Sequence, residues 1–287
     1  MTKKIFSLLV FIAFSFAANA VSPMNMRFHC SDDTIKINSL LKDGLNSQIT
    51  NPNDLVVFYA NKLLNTPYVA HTLEGDTEML TINIDQLDCT TFVETLIALA
   101  QTTVSQRTTW RDYANNLEAV RYRNGVMGDY TSRLHYISEW IVNNNARNNL
   151  KDITPSFAKC QYIVKTIDFM SNHRDAYTSL KDDAMFEKIK DIEAGYRSHR
   201  FPYLRKSDVN AKNSKSIFKS GDIIAMVTNI KGLDVSHLGI VIKENNELYF
   251  INASMGGKKV QLEKNTFADY LDRVKSCIGV RVFRIAE

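Results

Sequence analysis

The chain has 287 residues, of which 45% are hydrophobic and 23% are charged, and its formal net charge at pH 7 is +4. This composition is that of an ordinary globular protein with ample material for a core, which excludes a disordered chain. The charge is close to neutral and gives no concentrated basic face, which excludes a nucleic-acid-binding protein. We therefore expect one large domain, or one domain that carries an insertion.

The first twenty residues have the pattern of a secretory signal peptide. Lys3 and Lys4 form a basic start, residues 5–17 are apolar, and Ala18-Asn19-Ala20 places small residues before a cleavage site. The apolar run is too short to span a bilayer as a helix. The pattern predicts cleavage after Ala20, a periplasmic or secreted location with no membrane anchor, and a single mature domain over residues 21–287.

Four cysteines are present, Cys30, Cys89, Cys160 and Cys277. Export permits disulfides, but if Cys89 is a working thiol, at most one bridge can form among the other three. The sequence does not decide which bridge that is. The cysteine spacing is not that of a zinc site, and we expect neither a metal nor another cofactor.

The first third of the chain predicts two helices before the cysteine region. Residues 21–50 suit a mobile start and a short helical segment with a turn near Asp43-Gly44. Asn51 to Asp54 is a helix start signal, and apolar residues follow at helical spacing as far as Leu64. Residues 70–88 then predict an extended or looped approach, with apolar and polar residues alternating from Leu80 to Ile84.

Cys89 lies where polar sequence gives way to a strongly apolar helical pattern. Phe92 and the apolar residues that follow it as far as Ala100 recur at three- and four-residue intervals. Asp88 is the expected N-cap, which places Cys89 in the first turn of the helix. Free backbone N–H groups and the helix dipole favour a thiolate there, so we expect a pKa lowered from roughly 8.5 toward neutrality.

The middle of the chain, residues 105–215, is expected to be a mainly helical insertion. Residues 110–120 and 136–142 have helical apolar spacing, and residues 157–170 form a weaker candidate helix. Residues 205–216 are polar and basic without a period, which predicts an exposed loop.

The last seventy residues change to the pattern of a sheet. Buried strands are predicted at residues 223–227, 237–242, 247–251 and 280–284, with Asn245-Asn246 at hairpin spacing. The pair Gly256-Gly257 predicts a further turn between strands. Short strands in succession after a helical half indicate an α+β fold with an antiparallel sheet.

His237 differs from the other five histidines because it opens an otherwise apolar strand, where an imidazole needs a partner. Asn252 ends the following antiparallel strand, so the two side chains can lie side by side. With Cys89 they make a nucleophile, a base and an orienting amide, the form of triad that cysteine proteases use. Taken singly, His237 could be a structural histidine and Asn252 a turn former.

These residues carry a resemblance to a known superfamily. Asp88-Cys89-Thr90-Thr91-Phe92-Val93 resembles the Asp-Cys-Ser-Gly-x-Val signature of NlpC-type papain-like cysteine hydrolases, which act on bacterial cell-wall peptides. The segments 66–68, 220–224 and 236–240 resemble the superfamily's Pro-Tyr, Gly-Asp-Leu and His-x-Gly-Ile elements. The third triad residue is commonly histidine in these enzymes, whereas this chain has Asn252.

A narrower branch is also similar to this chain. The Thr-Thr pair after Cys89, together with the segments 121–125, 133–136 and 232–237, resembles N-acetylmuramoyl-L-alanine amidases once catalogued as a domain of unknown function. The resemblance implies a papain-like fold, in which the catalytic cysteine begins a helix that packs on the C-terminal sheet. It also implies Cys89, His237 and Asn252 as catalytic residues. The residues that it implies for substrate binding are Tyr68, Asp88, Thr90, Arg133, His135, Tyr136 and Ser236.

Three functions remain open at this point. The first is cleavage of the N-acetylmuramoyl–L-alanine amide bond in muropeptides, by a monomer that needs no partner beyond these fragments. The second is an endopeptidase that cuts between D-glutamate and the diamino acid, since the same chemistry serves both. The third is a cell-wall binding module without catalysis, which would have no need of an intact triad.

Overall fold

The computed structural model describes residues 25–286, so the predicted signal peptide lies outside the described residues. The helices are α1 (Asp33–Asn46), α2 (Pro52–Lys62), α3 (Cys89–Val104), α4 (Trp110–Arg121), α5 (Ile137–Ala146), α6 (Phe169–Asn172), α7 (Asp183–Gly195), α8 (Lys206–Val209), α9 (Lys212–Lys215) and α10 (Phe267–Arg273). The strands are β1 (Met26–Phe28), β2 (Leu80–Ile82), β3 (Leu150–Asp152), β4 (Gln161–Lys165), β5 (His199–Arg205), β6 (Ile223–Thr228), β7 (Val235–Glu244), β8 (Glu247–Ser254), β9 (Lys259–Leu262) and β10 (Cys277–Ile285). Across the described residues, no helix has both the length and the apolar content that crossing a membrane requires.

The main sheet has eight strands, and every neighbouring pair in it is antiparallel. Seven strands follow the order β4-β5-β10-β6-β7-β8-β9, and β3 pairs with β10. A separate two-stranded parallel pair joins β1 to β2. The predicted α+β class with an antiparallel sheet is confirmed.

Helices cover both faces of this sheet. The larger core joins α1 to α4 to one face, where Phe92 and Leu96 of α3 lie in the same cluster as Leu238 and Ile240 of β7. The opposite face packs against α8 and α10 and includes Phe250. Because side chains alternate along a strand, successive residues of β7 and β8 serve these two cores in turn.

The helix that begins at Cys89 extends further than predicted and is among the most buried parts of the molecule. Twelve of its sixteen residues are buried. Its Glu94 carboxylate accepts a hydrogen bond of 2.7 Å from Arg121 Nε of α4, and both side chains are 3% exposed. This buried ion pair fixes α3 against α4, because removing either partner would leave a charge without compensation.

Two predictions for the middle of the chain are wrong. The region 105–215 is mainly helical but also contains three strands, and two of them, β3 and β5, pair with β10 of the main sheet. Residues 157–170 form no continuous helix, because the β4 segment within them pairs with β5 instead. Residues 205–216 are not an exposed loop: they fold into the one-turn helices α8 and α9, which bury Val209.

The turn expected at Asp43-Gly44 is also absent, since α1 continues to Asn46. Gly44 is needed there for packing, because a Cβ atom would lie 1.9 Å from the Tyr59 hydroxyl of α2. The glycine therefore permits close contact between two helices, which a local pattern cannot distinguish from a turn signal.

Gly239 of β7 has a similar role in the sheet. A Cβ atom at this position would lie 2.4 Å from a ring carbon of Phe250 and 2.6 Å from the carbonyl oxygen of Ile251. The missing side chain thus lets the Phe250 ring cover this part of β7, where it packs edge-on against His237 with ring centroids 6.1 Å apart.

We predict that Gly239→Ala lowers the free energy of unfolding by about 1–3 kcal/mol, because the added methyl group overpacks the contact between β7 and β8. Denaturant titration followed by circular dichroism would measure the change. Gly256→Ala is the matched control, since a Cβ atom there meets nothing within 4 Å. Equal stabilities for the two variants would contradict this account of Gly239.

Candidate active site

The first turn of α3 is fixed by a complete capping box. Asp88 Oδ1 accepts hydrogen bonds from the backbone N–H groups of Thr90 (3.0 Å) and Thr91 (2.8 Å). In return the backbone N–H of Asp88 donates to Thr91 Oγ1 at 2.9 Å. The predicted N-cap is therefore present, and it holds Cys89 as the first residue of the helix.

The cap also decides which backbone donors of the first turn remain available. Asp88 occupies the N–H groups of Thr90 and Thr91, and the N–H of Phe92 donates to the Asp88 carbonyl oxygen. The N–H of Cys89 makes no hydrogen bond to another residue among those described. It is therefore free to bind an oxygen atom close to the Cys89 sulfur.

Cys89 meets the sheet at the start of β7, where the Leu238 N–H favours the thiolate form of its sulfur. The ladder between β7 and β8 begins only at the pair Ile240–Ile251, so β7 is not paired with β8 at this point. The gap in the ladder leaves room for the first turn of α3 against β7.

The structure joins His237 to Asn252, as the sequence predicted. The imidazole Nε2 donates to Asn252 Oδ1 at 3.0 Å, and Asn252 is fully buried. Because Nε2 is engaged, the other ring nitrogen, Nδ1, is the one left to accept a proton. His237 makes no hydrogen bond to the Cys89 sulfur within residues 25–286. Catalytic hydrogen bonds are often loose in enzymes without substrate.

The protonation state of Cys89 differs from the expectation. Burial, followed by the nearby Asp88 carboxylate, raises the pKa of the thiol to about 12, while the Leu238 N–H and the Thr90 hydroxyl oppose this change. The predicted lowering of the pKa is therefore wrong, because the thiol is desolvated and lies near a carboxylate. At neutral pH the half-buried side chain is a thiol and not a thiolate.

Burial has the opposite effect on the pKa of His237. It lowers the pKa of His237 below its usual 6.5, although the hydrogen bond to Asn252 and the charges of Glu263 and Asp88 partly counteract this effect. His237 is consequently neutral at pH 7 and can accept a proton. Cysteine and histidine are therefore both uncharged at neutral pH.

Tyr68 lies beside Cys89 through backbone contacts on two sides. Its N–H donates to the Lys258 carbonyl oxygen at 2.9 Å, in the turn between β8 and β9, and it forms a parallel bridge with Leu87. Burial is the main cause that raises the pKa of its hydroxyl, and the Asp88 carboxylate adds to this effect.

A small cavity of about 150 Å³ opens next to the start of α3, and Arg133 and His135 of the insertion line it together with Asp88 and Thr90. Two of the residues predicted from the middle of the chain are thereby brought to the Cys89 region. Burial, and to a lesser degree the Arg133 charge, lowers the pKa of His135 to about 3, so its imidazole is neutral.

Arg133 is 5% exposed and is surrounded by acidic side chains. Its Nη2 lies 3.0 Å from Glu74 and its Nε lies 3.4 Å from Glu78, but neither contact has the geometry of a hydrogen bond. Both N–H groups therefore lack acceptors in the described structure. A buried guanidinium with unsatisfied donors next to a cavity can bind a carbonyl or carboxylate oxygen there.

Tyr136 and Ser236 do not join this cavity. The Tyr136 hydroxyl donates to Glu193 at 2.6 Å and accepts from the Met170 N–H at 2.7 Å, within a separate apolar cluster of the insertion. The position of Tyr136 thus contradicts its predicted contact with substrate, since its side-chain hydroxyl is already satisfied. Ser236 is exposed, next to His237.

Sequence reasoning missed four residues around the site. Glu74 and Glu78 surround Arg133, Glu263 accepts from Asn252 Nδ2 at 3.0 Å, and the Tyr270 ring lies 6.4 Å from that of His237. None of these four residues belongs to a periodic sequence pattern that includes Cys89, His237 or Asn252. Only the fold brings α10 and the end of β9 to His237.

The described cysteines are all free thiols. Cys30, Asp33 and Asp85 form a compact group that has the atoms of a metal site. However, Lys36 Nζ donates to Asp85 at 2.6 Å, and the Cys30 thiol donates to the same carboxylate. The Lys36 ammonium group therefore takes the place that a metal ion would need. A larger surface cavity elsewhere, of about 1080 Å³, contains none of the predicted site residues.

The chain matches the family described as AmiA-like, N-acetylmuramoyl-L-alanine amidase-like, over residues 59–280. The match includes the capped start of α3 as well as His237 and Asn252. This protein therefore belongs to the N-acetylmuramoyl-L-alanine amidase-like family. A comparison with curated proteins gave no match.

Solved structures with this fold bear several names. An N-acetylmuramoyl-L-alanine amidase of Bacteroides uniformis is 37% identical with a TM-score of 0.77, over 82% of this chain and 99% of its own. A Bacteroides fragilis protein, provisionally named a xylanase, is 38% identical with a TM-score of 0.73, over 79% and 99%. A Legionella pneumophila protein of the DUF1460 family is 24% identical with a TM-score of 0.67, over 88% and 95%, and shares the fold alone.

We predict that iodoacetamide alkylates Cys89 about tenfold faster for each pH unit between pH 6 and pH 8, because the thiolate fraction of a thiol with a raised pKa grows in that proportion. Mass spectrometry of the Cys89 peptide would separate this reaction from those of the other cysteines. A rate that stays constant over this range would indicate a preformed thiolate and contradict the assignment.

Asp88→Asn serves as the matched variant for this measurement. Asparagine keeps the oxygen that caps α3 but removes the charge that raises the pKa of Cys89. The alkylation curve should therefore shift to lower pH while the thermal stability changes little.

Proposed function

We propose that this protein is an exported cysteine amidase of papain-like, NlpC-type fold that hydrolyses the N-acetylmuramoyl–L-alanine bond of muropeptides. The observation that carries the proposal is the 3.0 Å hydrogen bond between His237 and Asn252, adjacent to a cysteine at a capped helix start. This arrangement supports nucleophilic catalysis on a carbonyl group, and membership of the amidase-like family supports an amide as the bond that is cut.

The reaction follows from the uncharged cysteine–histidine pair. As the Cys89 sulfur attacks the amide carbonyl carbon, the thiol proton passes to His237 Nδ1, and the imidazolium then protonates the leaving nitrogen of L-alanine. The C–N bond breaks and a thioester remains on Cys89. His237 next takes a proton from water, which attacks the thioester, releases the lactyl carboxylate and restores the thiol.

The negative charge on the carbonyl oxygen needs donors that do not move during the reaction. The Cys89 N–H supports this role, since it is the first-turn donor that the Asp88 cap leaves free. Tyr68, whose backbone is paired with Leu87 shortly before α3, offers a hydroxyl as a second donor. These two groups would bind the oxyanion more tightly than the neutral carbonyl.

The cavity beside α3 supports binding of the peptide or lactyl oxygen atoms. Arg133 supplies two unsatisfied N–H groups, while Thr90 and His135 add smaller polar contacts. Ser236, exposed next to His237, would face the open side of the cleft. A cell-wall substrate also agrees with the predicted signal peptide and a periplasmic or secreted location.

We expect Cys89→Ala to lower the rate of muropeptide hydrolysis on the order of a thousandfold or more, because the variant has no nucleophile. Mass analysis of the digest of a defined muropeptide would show free N-acetylmuramic acid and an intact L-alanyl peptide with the wild type alone. Cys160→Ala is the matched control, as Cys160 is also a free thiol of intermediate exposure but lies outside the site.

The same digest separates the other functions. An endopeptidase would leave L-alanyl-D-glutamate on the sugar and release the diamino acid end of the peptide. A xylanase would release sugars from xylan and leave muropeptides intact, and a binding module would retain them without any product. Any of these results would replace the proposal. A chelator should leave the activity unchanged.

We also expect Tyr68→Phe to lower kcat/KM about 5- to 10-fold, the effect of one lost hydrogen bond in the transition state. The fold should be retained, because the backbone contacts of this residue do not depend on its hydroxyl. Steady-state kinetics would measure the effect. A rate equal to that of the wild type would exclude the phenol from oxyanion binding.

A further inference from the structure

Asn252 is engaged at both ends of its amide group. Its Oδ1 accepts from His237 Nε2 at 3.0 Å, and its Nδ2 donates to Glu263 Oε1 at the same distance. The side chain is fully buried, so it has no access to water as an alternative partner. A side-chain amide could rotate by half a turn and present its NH₂ group to His237 instead. The hydrogen-bond partner at its other end, Glu263, decides which of the two orientations is stable.

Glu263 is itself held firmly in position. Its backbone N–H donates to the Phe250 carbonyl oxygen of β8 at 2.8 Å. Gln261 Nε2 donates to the same Oε1 at 2.9 Å, and an Arg273 nitrogen lies 3.7 Å from Oε2. The side chain is only 11% exposed. This carboxylate is therefore a fixed acceptor and not a mobile surface charge.

We infer that Glu263 is a positioning residue that acts on His237 through Asn252. An ionised carboxylate can only accept hydrogen bonds, so it requires the NH₂ end of Asn252 and turns Oδ1 toward the imidazole. Oδ1 in turn requires a proton on His237 Nε2, which leaves Nδ1 unprotonated. Glu263 thus selects the tautomer that can take the proton of Cys89, and this inference deepens the proposed function, on which it rests.

The charge of Glu263 gives this role a measurable consequence. The groups around His237 are Asp88 and Cys89 at the start of α3, Asn252 on β8, Glu263 after β9 and Tyr270 on α10, while Arg273 lies beyond Glu263. Of these, the carboxylates of Glu263 and Asp88 raise the pKa of His237. Neutralising Glu263 removes one of the two, so the pKa of His237 should fall.

The test uses Glu263→Gln in the mature protein. Glutamine can still accept from Asn252, but it carries no charge and can also donate, so it no longer imposes one orientation. We expect kcat/KM for the muropeptide to fall about tenfold, the value of one charged hydrogen bond, and the acid limb of its pH profile to move to lower pH. In Glu263→Asp the charge remains but the reach is shorter, so the rate should fall while the acid limb stays closer to that of the wild type.

Glu247→Gln is the matched control, because Glu247 begins β8 and pairs with Lys215, away from the histidine. It should leave the rate and the pH profile unchanged. An active Glu263→Gln enzyme with the acid limb of the wild type would overturn the inference. So would equal shifts of that limb in the Gln and Asp variants, which a merely structural role would give.

Nitrogen NMR of His237 keeps this inference separate from the proposed function. The ring should carry its proton on Nε2 in the wild type, and it should show a mixture of tautomers and a lower pKa in Glu263→Gln. These signals do not require turnover. A protein without amidase activity would therefore refute the proposed function alone, whereas an unchanged tautomer and pKa in the variant would refute the role of Glu263 alone.

Discussion

The capping of α3 by Asp88 is the interaction on which the site depends. It ends the loop that leads from Tyr68, begins the most buried helix of the larger core, and leaves the Cys89 N–H as the free donor of the first turn. The apolar face of that helix then fixes the sulfur against β7. A single carboxylate thereby fixes both the helix start and the position of Cys89 in the candidate site.

Two different parts of the fold support the site: the start of a helix positions Cys89, and two strands position His237 and Asn252. The cysteine depends on a helix start, which local sequence determines almost completely. The histidine and the asparagine depend on the register between neighbouring strands, and on Gly239, which admits the Phe250 ring next to His237. The two supports meet where β7 and β8 are not paired, so the site lies at an interruption of the sheet.

The sequence predicted those parts of the structure whose signals are local. The capped helix at Cys89, the strands β6 to β8 and the hairpin at Asn245-Asn246 follow from periodicity and turn residues, and so does the pairing of His237 with Asn252. The prediction for the β4 segment was wrong because β4 is an edge strand with exposed Val164, and it has no buried face that a sequence pattern could reveal. The positions of Arg133 and Glu263 could not be predicted, since distant chain segments bring them to the site. The raised pKa of Cys89 was missed because burial is a property of the whole fold.

The protonated state of Cys89 has a consequence for the lifetime of the protein. Peroxides oxidise thiolates far more readily than thiols, and the first product, a sulfenic acid, progresses to irreversible acids under continued exposure. The raised pKa of Cys89 keeps its sulfur in the less reactive thiol form, which is protected from this damage. The Asp88 charge, which contributes to the raised pKa, thus helps to preserve the sulfur wherever oxidants are present.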